Sequence, residues 1–371
     1  MLTWIEVRKS CLQNNLKQFR KIVGSQRQIM AIVKSNAYGH GMLAVAKFCL
    51  SAGADWLGVV NLKEALLLRQ AKIRAPIFIL SYYPLSSDVK EAIRQNIDFP
   101  VYTLSQASFL AQEGQKVNKI VNIHVKIDTG ASRIGVLPEQ ADDFIKKIKK
   151  FKHLNLQGIF THYADSESKN QSYTNQQTQK FLKIIDQRQI PLAHAACSAT
   201  IINNPHTFFN MVRVGIGLYG LWPSKDTQRM ANKKSFSINL QPVLSWKTRI
   251  IQVKSLPAGV SIGYDCTFIT RSKTKLAVLP VGYADGYDRR LSNCGSVLIR
   301  GISCPIRGRV CMNLIMVDVS RVAKVKAGDE AVLIGKQNNR IISADDIAKK
   351  IGTINYEVVT KINSDIPRIY K

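Results

Sequence analysis

The chain has 371 residues, 46% of them hydrophobic, and seven scattered cysteines without C-x-x-C spacing. That length suits a barrel with an appended domain, the hydrophobic content excludes a disordered chain, and the cysteine pattern excludes a disulfide framework or a zinc site. The formal charge of +28 raises a polyanionic partner as a possibility, while the lack of an eighteen-residue apolar run or a signal-peptide core points to a cytoplasmic protein without a membrane partner.

Short apolar runs alternate with helix-period segments up to about residue 220. Runs at 29–33, 56–60, 77–80, 99–103, 121–127, 156–161, 192–196 and 211–214 predict strands. Segments at 43–52, 62–70, 104–113, 142–150 and 176–187 predict helices between them. The densest basic run, 146–152, overlaps one of these helices and has Phe144, Ile145, Ile148 and Phe151 at helical spacing. It reads as a solvated helix face, and with no RNA-binding signature beside it no nucleic-acid partner is expected. Eight strands in alternation with helices predict parallel pairing, and eight closes a (β/α)8 barrel. The count and even spacing favour that fold over a doubly wound open sheet.

A basic linker at 225–234 follows, and then the texture changes. Runs at 248–253, 275–281, 296–299, 304–310, 314–317 and 331–334 predict a mostly β domain. One helix at 343–351, with Ser343 as its N-cap, interrupts it. The predicted α/β architecture is a barrel over residues 1–235 followed by a mostly β domain over 236–371.

Barrel enzymes carry their chemistry at the C-terminal ends of the strands. Those ends bear Lys34 after the first strand, His162 after the sixth, Ser198 after the seventh, and Arg213 with Gly215 at the eighth. Ser35, Ala37, Gly39 and Gly41 follow Lys34 and leave room for a ligand beside its amine. Gly215-Ile216-Gly217-Leu218-Tyr219-Gly220 matches G-x-G-x-x-G, but Leu221-Trp222-Pro223 and a charged linker follow where a dinucleotide fold needs a helix. A glycine-bearing turn whose N–H groups cradle a phosphate, with Ser198 adding a hydroxyl, fits better.

The segment Lys34-Ser35-Asn36-Ala37-Tyr38-Gly39-His40-Gly41 resembles the cofactor-lysine motif of the alanine racemase family. Similar matches run in order along nearly the whole chain: Lys126-Ile127-Asp128-Thr129-Gly130 with Arg133, Gly158 to Ala164, His194 to Ser198, Val212 to Ile216, Ser261 to Tyr264, Pro280 to Tyr287, Gly308 to Met312, and Ile351 to Glu357. The resemblance implies a pyridoxal 5'-phosphate enzyme that interconverts L-alanine and D-alanine and supplies D-alanine for peptidoglycan. It implies that Lys34 carries the cofactor and is the base for the D-enantiomer. Tyr264, from the partner subunit of a homodimer, would serve the L-enantiomer, with His162 linking Tyr264 to Arg213. Arg213 would face the pyridine nitrogen. Tyr38, Ser198, Gly215, Ile216 and Tyr356 would hold the phosphate. Arg133 and the Met312 N–H would bind the substrate carboxylate, with a carbamylated Lys126 orienting Arg133, and Tyr283 and Tyr356 would narrow the entrance. No metal is implied.

Four positions depart from the family pattern: Asn313 in place of aspartate, Cys197 in place of asparagine, Val214 in place of proline, and Ala131-Ser132 in a turn that is usually methionine-centred. They bear on pocket size and substrate range more than on the chemistry, and a broad-specificity racemase would use the same residues. Basic amino-acid decarboxylases share the fold, but nothing resembles their C-terminal cysteine motif. The small cofactor-carrying barrel proteins lack a second domain.

Overall fold

The computed structural model describes residues 1–185, 190–232 and 238–371. The chain opens with β1 (Thr3–Val7) and then builds eight strands: β2 (Gln28–Ile32), β3 (Trp56–Val59), β4 (Ile77–Ile79), β5 (Ile97–Val101), β6 (Val121–Lys126), β7 (Leu154–Phe160), β8 (Leu192–His194) and β9 (Met211–Val214). These pair in parallel and in order, and β9 returns to β2 through Met30↔Arg213 and Ala31↔Val214 to close the barrel. Each predicted strand falls on one of them. The runs were legible because strands covered on both faces are apolar at nearly every position; β3, β4 and β5 are buried throughout.

Helices lie between the strands, including Met42–Ser51, Leu62–Gln70, Leu104–Lys116, Ala141–Ile148 and Ser172–Ile185. Their starts follow capping chemistry: Asn61 accepts the Glu64 N–H at 2.9 Å, and Thr103 accepts that of Gln106 at 3.2 Å. The predicted helix 176–187 runs past Ile185 into residues outside those described. The expected linker at 225–234 is instead helical from Lys225 to Asn232, and its last two residues lie outside the described ones. Ser224 caps that helix at the Thr227 N–H (3.1 Å), and Thr227 and Ala231 are buried, so its charged composition hid an amphipathic element.

The remaining strands are β10 (Leu244–Arg249), β11 (Gln252–Leu256), β12 (Thr274–Leu279), β13 (Ser296–Ile299), β14 (Ile302–Pro305), β15 (Ile315–Asp318), β16 (Glu330–Gln337), β17 (Arg340–Ile342) and β18 (Arg368–Tyr370). One sheet runs β14-β13-β16-β10-β1-β18 with β17 on β16, and a second runs β11-β12-β15. The expected barrel domain begins at residue 1, but Met1–Lys9 group with Val243–Lys371, because β1 pairs antiparallel with β10 and parallel with β18. The expected boundary at 235/236 lies outside the described residues. Ser343 caps Ala344–Ile351 as expected, accepting the Asp346 N–H at 3.0 Å, and a second short helix, Asn355–Thr360, follows. Among the described residues no helix is long and apolar enough to cross a membrane.

Candidate active site

Lys34 lies just past the end of β2, and the chain then makes an unusual left-handed turn. Ser35, Asn36, Ala37 and Tyr38 all have positive φ, between 52° and 54°. L-residues avoid this region, so other contacts must hold the turn. Glu64 accepts the Ser35 N–H at 2.7 Å and the Val60 N–H at 2.9 Å, and Asn36 accepts the Met42 N–H at 2.9 Å. Burial and then the Arg133 charge pull the Lys34 amine below the ordinary lysine value, against an opposing effect from Glu64. The glycines after Lys34 have a different use from the one expected. A Cβ on Gly39 would lie 2.1 Å from the Val359 carbonyl oxygen, so close backbone passage, not room for a ligand, requires glycine there.

Four more basic or imidazole groups of the barrel act electrostatically on one another. Lys126 ends β6, buried, with its ammonium 4.8 Å from the Phe160 ring centroid. Burial first, then Arg213 and Arg133, lower its pKa to about 7. Asp128 shapes the turn that carries Arg133: one carboxylate oxygen accepts the N–H groups of Gly130, Ala131 and Ser132 at 2.8–3.0 Å, and the other accepts that of Arg133 at 2.8 Å. Sequence reasoning gave Asp128 no role, although an aspartate two residues before glycine is a recognisable turn signal.

Arg213, at the end of β9, is buried in a ring of acceptors. It donates to the carbonyls of Thr161 (2.8 Å), His194 (2.9 Å) and Ala195 (2.9 Å), to His194 Nδ1 (2.7 Å) and to His162 Nδ1 (3.3 Å). Burial lowers its pKa to about 10, which leaves it cationic at neutral pH. His162, beyond the end of β7, is held well below 6.5 by burial and then by Arg213, so it is neutral. On the next strand end, the Ser198 hydroxyl accepts the N–H of Gly215 at 2.9 Å and of Gly217 at 3.3 Å. With both acceptor positions used, its proton is directed to another group. A hydroxyl donor beside the Ile216 turn suits an anion such as a phosphate, and so fits pyridoxal phosphate. A Cβ on Gly217 would lie 2.4 Å from the Phe19 ring, which explains that glycine without a dinucleotide.

The other expected site residues belong to the second compact unit. Tyr264 is 70% exposed, in a turn where Gly263, Asp265 and Cys266 all have positive φ. Asp265 pins this turn to Arg309 Nε at 3.2 Å. Tyr283 and Met312 are neighbours: the N–H of Tyr283 donates to the Cys311 carbonyl, and that of Ala284 to the Met312 carbonyl, each at 3.0 Å. Gly282 permits this, since a Cβ would meet both carbonyl oxygens within 2.3 Å. Met312 and Asn313 are exposed. Tyr38 and Tyr356 stand with ring centroids 6.2 Å apart.

Residues 7–223 match the family model of the alanine racemase N-terminal domain, and residues 243–370 that of its C-terminal domain. An alanine racemase of Halothermothrix orenii is 44% identical over all of this chain and 97% of its own length. Among solved structures, an alanine racemase of Clostridium difficile superposes with a TM-score of 0.94 at 34% identity, covering 100% of this chain and 96% of the other. The alanine racemase of Bacillus anthracis with bound L-Ala-P has a TM-score of 0.92 at 34% identity, covering 100% and 95%.

Proposed function

The chain belongs to the alanine racemase family and interconverts L-alanine and D-alanine, and from that premise we propose that Lys34 and Tyr264 are its two opposed bases. Family membership implies pyridoxal phosphate, which when bound takes up the electron pair left on the substrate Cα as its proton departs. Lys34 holds the cofactor and moves the α-proton on one face. Its depressed pKa leaves more of the neutral amine at physiological pH than an ordinary lysine would have. Tyr264, from a second copy of the chain in a homodimer, moves the proton on the other face. A phenol works as a base only where its anion is stabilised, and the guanidinium groups of Arg133 and Arg213 supply such a field.

In this reading Arg213 faces the pyridine nitrogen and, as a permanent cation, keeps it unprotonated, while His162 links it to Tyr264. The Ser198 hydroxyl, with Tyr38, Gly215, Ile216 and Tyr356, holds the phosphate. Arg133 takes the substrate carboxylate in bidentate fashion with the Met312 N–H, and Tyr283 and Tyr356 narrow the entrance. Lys126 fits carbamylation, because an amine with a pKa of about 7 is about half neutral at neutral pH and surrounded by positive charge that a carbamate would offset. The product D-alanine serves peptidoglycan synthesis, and a cytoplasmic location fits seven unpaired cysteines.

The observation that carries these assignments is the Lys34 amine, depressed by burial and Arg133, at a strand end of a barrel whose last strands present Arg213 and the Ser198–Gly215 pair. The test is isotope exchange from each enantiomer. Tyr264→Phe is expected to suppress reaction from L-alanine far more than from D-alanine, and Lys34→Ala to abolish the cofactor's bound visible absorbance. Symmetric loss in the tyrosine variant would refute the division of labour.

A further inference from the structure

The interior of the barrel holds two buried histidines that the racemase reading leaves without a task. His194, on β8, stacks on Phe160 with ring centroids 5.0 Å apart and 6° between planes. Its Nε2 lies 2.9 Å from His124 Nδ1, and His124 Nε2 lies 3.3 Å from Asp98 Oδ2. His194 Nδ1 in turn takes the 2.7 Å hydrogen bond from Arg213. These contacts form a line across four strands, β5, β6, β8 and β9. Asp98, the second residue of β5, borders a cavity of about 720 Å3 lined also by Trp56, Arg69, Pro76, Asn96 and Asn122, by the N-terminal ends of the strands.

The direction of every bond in this line is forced. A guanidinium can only donate, so His194 Nδ1 carries no proton and the proton of a neutral His194 sits on Nε2. His124 must then accept at Nδ1 and carry its own proton on Nε2, where a carboxylate is ready to take it. Burial, followed by the charges of Arg213, His124 and Lys126, holds His194 well below 6.5, which agrees with the neutral form.

The fold makes specific provision for His124. The β6–β7 pairing shifts register between Ile123 and His124: Ile123 pairs with Leu156 but His124 with Gly158, so the extra residue, Gln157, is on β7 and a glycine stands opposite the imidazole. Opposite it is Gly158, where a Cβ would lie 2.3 Å from His124 Nδ1. Phe78 and Trp56 complete the shell, at 4.4 and 5.9 Å between centroids. A purely space-filling core would have no reason to set two imidazoles and a carboxylate in an ordered row.

We propose that Asp98, His124 and His194 are positioning residues for racemisation, a one-directional hydrogen-bond chain that fixes the orientation of the Arg213 guanidinium from the far side. The proposal rests on the reading that Arg213 faces the cofactor ring. A carboxylate placed directly on Arg213 would cancel its charge. Two neutral imidazoles in between transmit orientation while leaving the positive charge to face the site, as an outer hydrogen-bond partner fixes the orientation of a group that contacts a ligand.

The experiment combines histidine nitrogen NMR with variants of the loaded enzyme. His194 and His124 are both expected to carry their proton on Nε2, with Nδ1 accepting a hydrogen bond. A cationic ring or an Nδ1 proton at either position overturns the chain. His194→Phe, which keeps volume alone, is expected to lower kcat on the order of 10- to 100-fold with little change in KM, and to shift the pH dependence of the cofactor's visible absorbance. His194→Gln keeps an acceptor and a donor in the same order and is expected to restore most of both. Equal losses in the two variants would reduce His194 to packing and overturn the proposal. If the phenylalanine variant does not fold, Gly158→Ala displaces the His124 ring without removing a polar group, and unchanged kcat and tautomers there also overturn it. Arg213→Lys separates the two readings: an absorbance profile identical to the parent refutes the placement of Arg213 against the ring, whereas the tautomers test the chain itself.

Discussion

Arg213 Nη2 and His162 Nδ1 are 3.3 Å apart, and because a guanidinium has no acceptor, this contact leaves His162 as a neutral imidazole with its proton on Nε2. The one proton His162 can offer is therefore directed away from Arg213. The same logic applies to His194, so the cation imposes the protonation state of two rings at once.

That arrangement should be visible in stability against pH. Both imidazoles are held well below 6.5, first by burial and then by the Arg213 charge. As pH falls through about 6.5 the unfolded chain takes up protons that the folded chain refuses, so stability is lost on the acid side. Urea midpoints are expected to fall from neutral to mildly acidic pH, less steeply in His162→Asn. An equal slope in that variant would mean that His162 is already protonated in the fold.

Lys126 acts in the same direction but on the alkaline side. With the folded value lowered to about 7 from 10.5, the folded state binds fewer protons over that interval, and stability is expected to rise with pH across it. The neutral amine can bond to the carbon of CO2 and release one proton, forming a carbamate. Labelled bicarbonate is expected to give a carbamate carbon resonance that Lys126→Arg lacks, and no resonance in the parent protein would dismiss the modification.

Asp128→Asn tests the turn beneath Arg133. The carboxylate now accepts four N–H groups through two oxygens, and an asparagine must turn either an NH2 toward the Arg133 N–H or its oxygen away from the other three. Loss of one charge-assisted bond is expected to cost about 1.5–3 kcal/mol, shared between stability and substrate binding. KM for alanine should rise more than kcat falls. A fall in kcat at constant KM would place Arg133 outside substrate binding.

Ser198→Ala removes the hydroxyl that accepts from Gly215 and Gly217. Two N–H groups lose a partner, and, if Ser198 holds the phosphate as proposed, the cofactor loses a donor. The dissociation constant for pyridoxal phosphate, measured by equilibrium dialysis in a Lys34→Ala background, is expected to rise about 10- to 100-fold, corresponding to roughly 1.5–3 kcal/mol. An unchanged constant would argue that Ser198 only braces the turn.

The eight barrel strands were legible because parallel strands buried on both faces must be apolar throughout, and the Ser343 helix because its cap is written locally in Ser343 and Asp346. The strand ends therefore located Lys34, His162, Ser198 and Arg213 from the chain alone. What sequence by itself could not supply were relations between residues far apart in the chain. The pairing of β1 with β10 and β18 moved the first residues out of the barrel unit. The approach of Gly39 to the Val359 carbonyl gave that glycine a reason no local pattern contains. Most of all, the line from Asp98 through His124 and His194 to Arg213 joins residues that look like ordinary strand positions when read singly. Periodicity reports which face of an element is buried, but hydrogen-bond direction depends on which donors and acceptors the closed barrel brings within about 3 Å. Only that closure made the Arg213 cation determine the protonation of the imidazoles around it.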